Sequence, residues 1–364
     1  MQAAFVDDSD PRWDEFLEDT PHDVYHRPAY GRLLAEPGVG RALAFLGESH
    51  GTRCLIPIVV RPLPPGLEGG EGWRDAVSPY GYANPLLRGD PDRLGELLQT
   101  FAACCAERGI VAAFLRGHPL LPPELLAQHG WKSGTSFAET TPRGDTVSID
   151  LRRTEEEIWS GHRPAMRTSI NRLRRLGFTA AIDDWSQFDR FVELYHATMN
   201  RVGAASSYFF SKEHFDALRR VLGDHLHLNT VYAPDGRVAS SSLLFIDGGI
   251  VQSHLNGWDP ELMELSPSKL SIDSSWRWAR QAGASWFHIG GGVGGKNDAL
   301  LSYKLGFSRL TRPFRTMNVV ADAAAYAELV RRSGASPGDF FPAYRAPAAL
   351  RRALEPEAAG AAAG

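Results

Sequence analysis

The stretch HIGGGVGGKNDALLSYKLGF, residues His288 to Phe307, decides how this chain is read. Five glycines fall within the six residues Gly290–Gly295. The β-rich run Trp286–Ile289 precedes them, and a helical pattern follows from Asp298. Glycines let a backbone turn sharply and approach a ligand closely. A helix start just beyond favours an anion. The plain alternative is a flexible strand-to-helix turn. The stretch is not a P-loop, because no Gly-Lys-Ser/Thr occurs, and its spacing and late position do not fit a dinucleotide-binding fingerprint. Lys304 lies just past the loop. All but five of the 39 lysines and arginines are arginine, so a lysine here stands out. An ammonium beside a cleft can stabilise a developing oxyanion or hold a phosphate. A solvated helix lysine is the alternative.

Upstream, Gly161–Gly177 carries Arg163, Arg167, Arg172, Arg174 and Arg175, with no acid between Ile158 and Ile182. Thr154-x-x-Glu157 predicts a capped helix before it, and Pro164–Leu176 a second helix ending at Gly177. Arg167, Asn171 and Arg174 share one helix face. Such a patch suits phosphates, and a solvated arginine face is the competing reading. Beyond it the spacing predicts a strand at Phe178–Ile182, helices at Trp185–Asn200 and Lys212–Leu222, and strands at Leu226–Tyr232, Val238–Ile246 and Ile250–His254. A helix follows at Ser268–Ala282, then the glycine loop, a strand at Thr311–Val319 and a helix at Asp322–Arg332.

The first third reads as a hairpin (Ala42–Leu46, Leu55–Val60), a Pro/Gly loop at Pro62–Gly72, a helix Pro91–Arg108 capped by Asp90, a strand Ile110–Leu115, a short helix at Pro122–His129 and a strand Thr146–Leu151. Both halves share a helix–helix–strand–strand–helix–strand character, which predicts two related α/β lobes. The tail Glu355–Gly364 is of low complexity and expected to be disordered. Two loops are candidates for lining a pocket: Ser78–Pro85, with Tyr80 and Tyr82, and Tyr25–Tyr30. Tyr208 follows the helix that holds Tyr195–Arg201. Packing against the core competes with each.

The 364 residues and 43% hydrophobic content suffice for two or three domains with sizeable cores. A net charge of −4 gives no bulk attraction for nucleic acid. Three cysteines, two of them adjacent, give neither a disulfide framework nor metal spacing, and predict small core residues in a reducing cytoplasm. His225-x-His227 lacks a third ligand nearby and reads as structural. The start shows no signal-peptide pattern, and no apolar run approaches a membrane span. The excess of Arg, Ala and Gly points to a GC-rich bacterial genome. No Gly-x-Ser-x-Gly elbow or Cys–His pairing supports covalent hydrolase chemistry.

Together, RTSINRLRRLGF, FVELYHATMNR followed by YFF, RVASSSLLF and the glycine-loop stretch resemble the FemABX-type acyltransferases of the GNAT superfamily and related bacterial acetyltransferase-like proteins. The likeness covers residues 145–318 well and the first 140 loosely, through YHRPAY and SPYGYANP. It implies an α/β (α+β) fold of two tandem GNAT-like domains, each a mixed, mostly antiparallel sheet flanked by helices, with a cleft between them. The expected boundaries are 1–150, completed by 320–350, then 151–319 and a disordered 351–364.

The better known family members move an aminoacyl group from a charged tRNA to a peptidoglycan precursor. The expected function is therefore amide formation, from aminoacyl-tRNA to the amine of a cell-wall precursor or a natural product, in the cytoplasm and with no cofactor or metal. The resemblance maps the transfer-site lysine to Lys304, with Tyr303 beside it as the second catalytic candidate. The nearest equivalents of the family's phosphate-binding basic residues are Arg167 and Arg172. Tyr30, Tyr80, Tyr82, Tyr208, Gly291, Gly292, Asn297 and Asp298 are the further substrate-binding candidates. The chain lacks the long helical arm of some members and is acidic overall. An acyl-CoA-dependent N-acyltransferase is the alternative, although the GNAT pyrophosphate signature is missed; Arg280-Gln-Ala-Gly283-Ala-Ser285 is nearest and ends a helix. A non-catalytic ligand-binding lobe pair is the third reading.

Overall fold

The computed structural model describes residues 2–35, 40–67, 72–122, 130–336, 338 and 340–347. Most of the expected helix at Pro122–His129, part of the Pro62–Gly72 loop and the expected disordered tail 351–364 lie outside the described residues. In chain order the strands are β1 (Gln2–Asp7), β2 (Arg41–Ser49), β3 (Thr52–Pro62), β4 (Arg74–Val77), β5 (Leu86–Arg88), β6 (Ile110–Arg116), β7 (Trp131–Lys132), β8 (Phe137–Asp150), β9 (Thr179–Ile182), β10 (Leu226–Tyr232), β11 (Val238–Asp247), β12 (Ile250–Trp258), β13 (Trp286–Gly291) and β14 (Thr311–Val320). The α-helices are α1 (Pro11–Glu18), α2 (Pro28–Leu34), α3 (Leu94–Glu107), α4 (Glu155–Gly161), α5 (Pro164–Arg175), α6 (Phe188–Arg201), α7 (Lys212–Leu222), α8 (Ser268–Gln281), α9 (Ala299–Lys304) and α10 (Ala323–Ser333).

Two compact units form. One comprises Met1–Pro142 and Phe314–Gly364, the other Arg143–Pro313. Both boundaries fall earlier than the expected 150 and 319. The strand expected to begin at Thr146 begins at Phe137, and its second half, Thr146–Asp150, pairs with β13 inside the second unit.

The first unit orders its strands β1-β2-β3-β4-β6-β14, all antiparallel except the β4–β6 pair. The second orders them β9-β10-β11-β12-β13-β8, all antiparallel except β12–β13. The one parallel pair therefore occupies the same place in both, and each is bridged by the helix that parallel strands require, α3 or α8. The sixth strand of the first unit comes from late in the chain and that of the second from before its other five.

Each helix is placed by its apolar stripe. Leu94, Leu97, Leu98, Phe101 and Cys105 of α3 bury against Phe45, Ile56, Ile58 and Leu115. Ile170 and Leu173 of α5 and Trp276 and Ala279 of α8 bury against Val147, Ile149, Val251 and Phe287. Cys54 and Cys105 are free core residues, and Cys104 is half-buried.

Candidate functional site

In the second unit the parallel pairing of β12 and β13 covers only Ile250–Gln252 against Trp286–His288. The last rung is pinned by side chains: His288 Nδ1 and Gln252 Oε1 lie 2.6 Å apart, both residues buried. Just past it both strands slip register against their outer neighbours, β12 between Ser253 and Leu255 against β11, and β13 between His288 and Gly290 against β8. Bulges of this kind redirect a strand and concentrate beside active sites. Beyond the rung β13 continues to Gly291 paired with β8, and β12 and β13 no longer pair with each other.

Asp298 caps α9, its Oδ1 accepting the Leu301 amide at 2.9 Å. Its Oδ2 accepts the Val293 amide at 2.8 Å. These amide bonds hold its carboxyl below the usual range. At Gly292 a side chain is excluded, because a Cβ would sit 2.0 Å from the Lys296 carbonyl oxygen. Lys304 ends α9, is half-buried, and donates from Nζ to the Gly291 carbonyl at 2.7 Å. Burial pushes its ammonium down to about 8, with Asp298 pulling the other way. An ammonium so placed, beside exposed loop backbone, is suited to hydrogen-bonding an oxygen that gains charge during a reaction.

The other candidates of this unit are placed as follows. Tyr303 packs edge-on to Phe307, its hydroxyl 3.0 Å from that of Ser268, and burial raises its phenol. Asn297 is exposed. On α5, Arg174 pairs with buried Asp273 and lies over Trp159, and Arg175 donates to the Asn171 carbonyl at 3.3 Å; Arg163, just before the helix, donates to the Ser302 carbonyl at 3.2 Å. The side chains of Arg167, half-buried, and Arg172, exposed, have no hydrogen-bond or ion-pair partner among the described residues. Tyr208 is exposed, and its carbonyl accepts the Tyr195 hydroxyl at 2.6 Å. His227 meets Asp183 at 2.8 Å and His225 the Ile246 carbonyl at 2.9 Å, in line with a structural pair.

Sequence reading missed Lys269. It sits in the first turn of α8, where a cation opposes the helix dipole, and donates to the Ser169 hydroxyl of α5 at 3.0 Å. Three of the five lysines thus belong to α8, the glycine loop and α9. The available signal was their scarcity, used for Lys304 but not for Lys269.

Tyr30, Tyr80 and Tyr82 lie in the first unit, where the two aromatic loops meet. Tyr30 donates to the Tyr80 carbonyl at 2.9 Å, and His26 Nε2 lies 2.9 Å from Asn84 Oδ1. Tyr25 stands edge-on to both Tyr30 and Tyr82. This junction forms where β4 and β6 part, after Ser78 bonds the Phe114 carbonyl at 2.8 Å. Tyr30 is buried and Tyr80 exposed. A buried contact between Asp23 and His118 of 2.9 Å, not anticipated from sequence, lies beneath them.

Among the described residues no group of three or more His, Cys, Asp or Glu side chains could hold a metal, and no helix is long and apolar enough to cross a membrane.

Residues 160–304, inside the second unit, match the family model described as an acetyltransferase (GNAT) domain. Among solved structures the chain is similar to FemX, with a TM-score of 0.65 at 12% identity over 86% of this chain and 97% of that one. It is also similar to the C-terminal domain of a putative lysylphosphatidylglycerol synthetase from Agrobacterium fabrum, at TM-score 0.54 and 16% identity over 86% of this chain and 92% of that one. A third is L-PGS from Bacillus licheniformis, at TM-score 0.52 and 14% identity over 85% and 92%. No curated protein matches the sequence. The chain carries a GNAT domain in a FemX-like fold, and its class is that of an acyltransferase.

Proposed function

We propose that this acyltransferase forms an amide by moving an aminoacyl group from aminoacyl-tRNA to the amine of a cell-wall precursor or natural-product acceptor. The amine attacks the carbonyl carbon of the ester. The tetrahedral intermediate then expels the ribose hydroxyl oxygen, which takes up the proton the amine gives away. No side-chain nucleophile is required. The ammonium of Lys304 donates to the oxyanion, and Arg167, Arg172 and Lys269 offer charge to donor phosphates.

The observation that carries the donor assignment is the link between β12 and α8. In acyl-CoA enzymes of this superfamily a glycine signature joins a strand to a helix and cradles pyrophosphate. Here Asp259–Pro267 contains no glycine and three acids, Asp259, Glu261 and Glu264. Asp259 pairs with Arg190 and caps the Glu261 amide at 2.9 Å. A pyrophosphate would meet like charge there. The parted parallel strands and the GNAT match favour acyl-CoA as the second reading.

Radiolabelled aminoacyl-tRNA and radiolabelled acetyl-CoA, each incubated with the enzyme and a panel of amine acceptors, separate the two. Label should pass from the tRNA, and transfer from acetyl-CoA alone would overturn the assignment. Lys304→Ala should lower kcat by about 10²–10³-fold. A folded variant with near-normal rate would remove Lys304 from catalysis.

A further inference from the structure

The glycine loop and α9 are fastened together at two points. Lys304, at the helix end, returns to the Gly291 carbonyl at 2.7 Å. Asp298, at the helix start, reaches back to the Val293 amide at 2.8 Å while holding the Leu301 amide at 2.9 Å. Its own amide donates to the Lys296 carbonyl at 3.0 Å. The loop backbone is pressed against this carboxylate, since a Cβ on Gly292 would lie 2.5 Å from Asp298 Oδ1. Both carboxylate oxygens are therefore committed to the chain itself. The far side of the loop rests on β8, because a Cβ on Gly295 would lie 1.9 Å from the Arg143 carbonyl oxygen.

We infer that Asp298 is a positioning residue and not a substrate ligand: its carboxylate holds the glycine loop against α9, so that Lys304 and the Gly291–Val293 backbone present one fixed geometry. The inference rests on Lys304 being the oxyanion donor. Asp298 has a second effect through charge. The charged groups on the surrounding elements include Arg143 and Asp145 on β8, Lys296 in the loop, Lys269 on α8 and Arg163, which donates to the Ser302 carbonyl of α9. Asp298 is the group that acts on the Lys304 ammonium, opposing the effect of its burial. Loss of the carboxylate then shifts the Lys304 titration further down.

Two variants separate tether from charge. Asp298→Asn removes the charge and one acceptor, whereas Gly292→Ala strains the loop and keeps the charge. Competitive labelling of Lys304 with acetic anhydride across pH, with Lys132 as internal reference and detection by mass spectrometry, reads its titration without any substrate. With a transfer assay, kcat should fall about 10- to 100-fold in both variants while KM stays within about twofold. The Lys304 titration should move to lower pH in Asp298→Asn and stay in place in Gly292→Ala. An Asp298→Asn enzyme with wild-type labelling and a raised KM alone would overturn the proposal and make Asp298 a substrate ligand. If Asp298→Asn melts early, Asp298→Ser, which retains a helix cap but loses the tie to Val293, is read in the same two ways. An active Lys304→Ala enzyme would remove Lys304 from catalysis, and the labelling result would still report on Asp298.

Discussion

Lys304 is charged or neutral according to its surroundings, and its surroundings point to one pH dependence. Its ammonium titrates near 8, chiefly because of burial. If the charged form is the oxyanion donor, kcat/KM falls as pH rises through about 8. A base catalyst at this position would give the opposite slope. A rate that climbs through that range would therefore convert Lys304 from hydrogen-bond donor to proton acceptor. Gly81 makes a second prediction. Its φ is +114°, and a Cβ there would lie 2.3 Å from the Tyr25 ring. Gly81→Ala should destabilise the first unit by on the order of 1–3 kcal/mol from the backbone alone, read from denaturant unfolding. The composition singled out Lys304 as a rare residue in this chain. It did not show where the ammonium points, because that depends on a loop carbonyl thirteen residues back. Asp298 was likewise recognisable as polar and near the loop. Its role as a tether depends on a bond to Val293 that no spacing rule specifies.

At the scale of the element, α5 shows how far charge counting reaches. The sequence displayed five arginines between Gly161 and Gly177 and no acid. Which of them are free to meet a ligand depends on α8, which brings buried Asp273 to Arg174. Arg167 and Arg172 keep their charge for solvent or substrate. Replacing either by Ala should weaken donor binding and lower the slope of log affinity against log salt by about 1. Arg174→Ala should leave that slope in place and lower the melting temperature, since it removes one of two arginines from Asp273. Equal slopes for all three variants would mean that the helix binds no phosphate through these residues. The helices themselves were legible from caps and stripes: Thr154 and Glu157 form the expected capping box at the start of α4. Short strands such as β1 and β4 were not, because four to six residues carry too little periodicity. The strand at Thr146 was foreseen without its first half, where Pro142, Arg143 and Gly144 break the alternation.

At the scale of the molecule, the two-lobed reading survives with a change in how the lobes are closed. The same six-strand order occurs twice, and each sixth strand comes from the far side of the chain order. A local pattern cannot reveal that exchange, since β8 and β14 each read as an ordinary strand. The closing segment of the first unit adds a late contribution, with Arg345 pairing with fully buried Asp75 and Tyr344 buried against Leu329 and Val111. Both units also bury histidines in neutral form. Desolvation, with His118 nearby, pushes His26 of the first unit down to about 4, and desolvation, with His214 nearby, pushes His254 of the second to about 3. His162, among Trp159, Trp276 and Phe307, is lowered for the same reason. An unfolded histidine takes up its proton near 6.5, so the unfolded chain binds more protons than the folded one below that value. The histidine contribution to stability should therefore be flat above about 6.5 and fall as pH drops toward about 4 and, for His254, toward about 3. Thermal melting across that range checks it. His26→Gln and His254→Phe should each make the acid decline shallower while the neutral-pH melting temperature changes less. If both variants decline as steeply as the parent, other groups drive the acid loss, carboxylates held low by their hydrogen bonds being the foremost, as at Asp150 and Asp298.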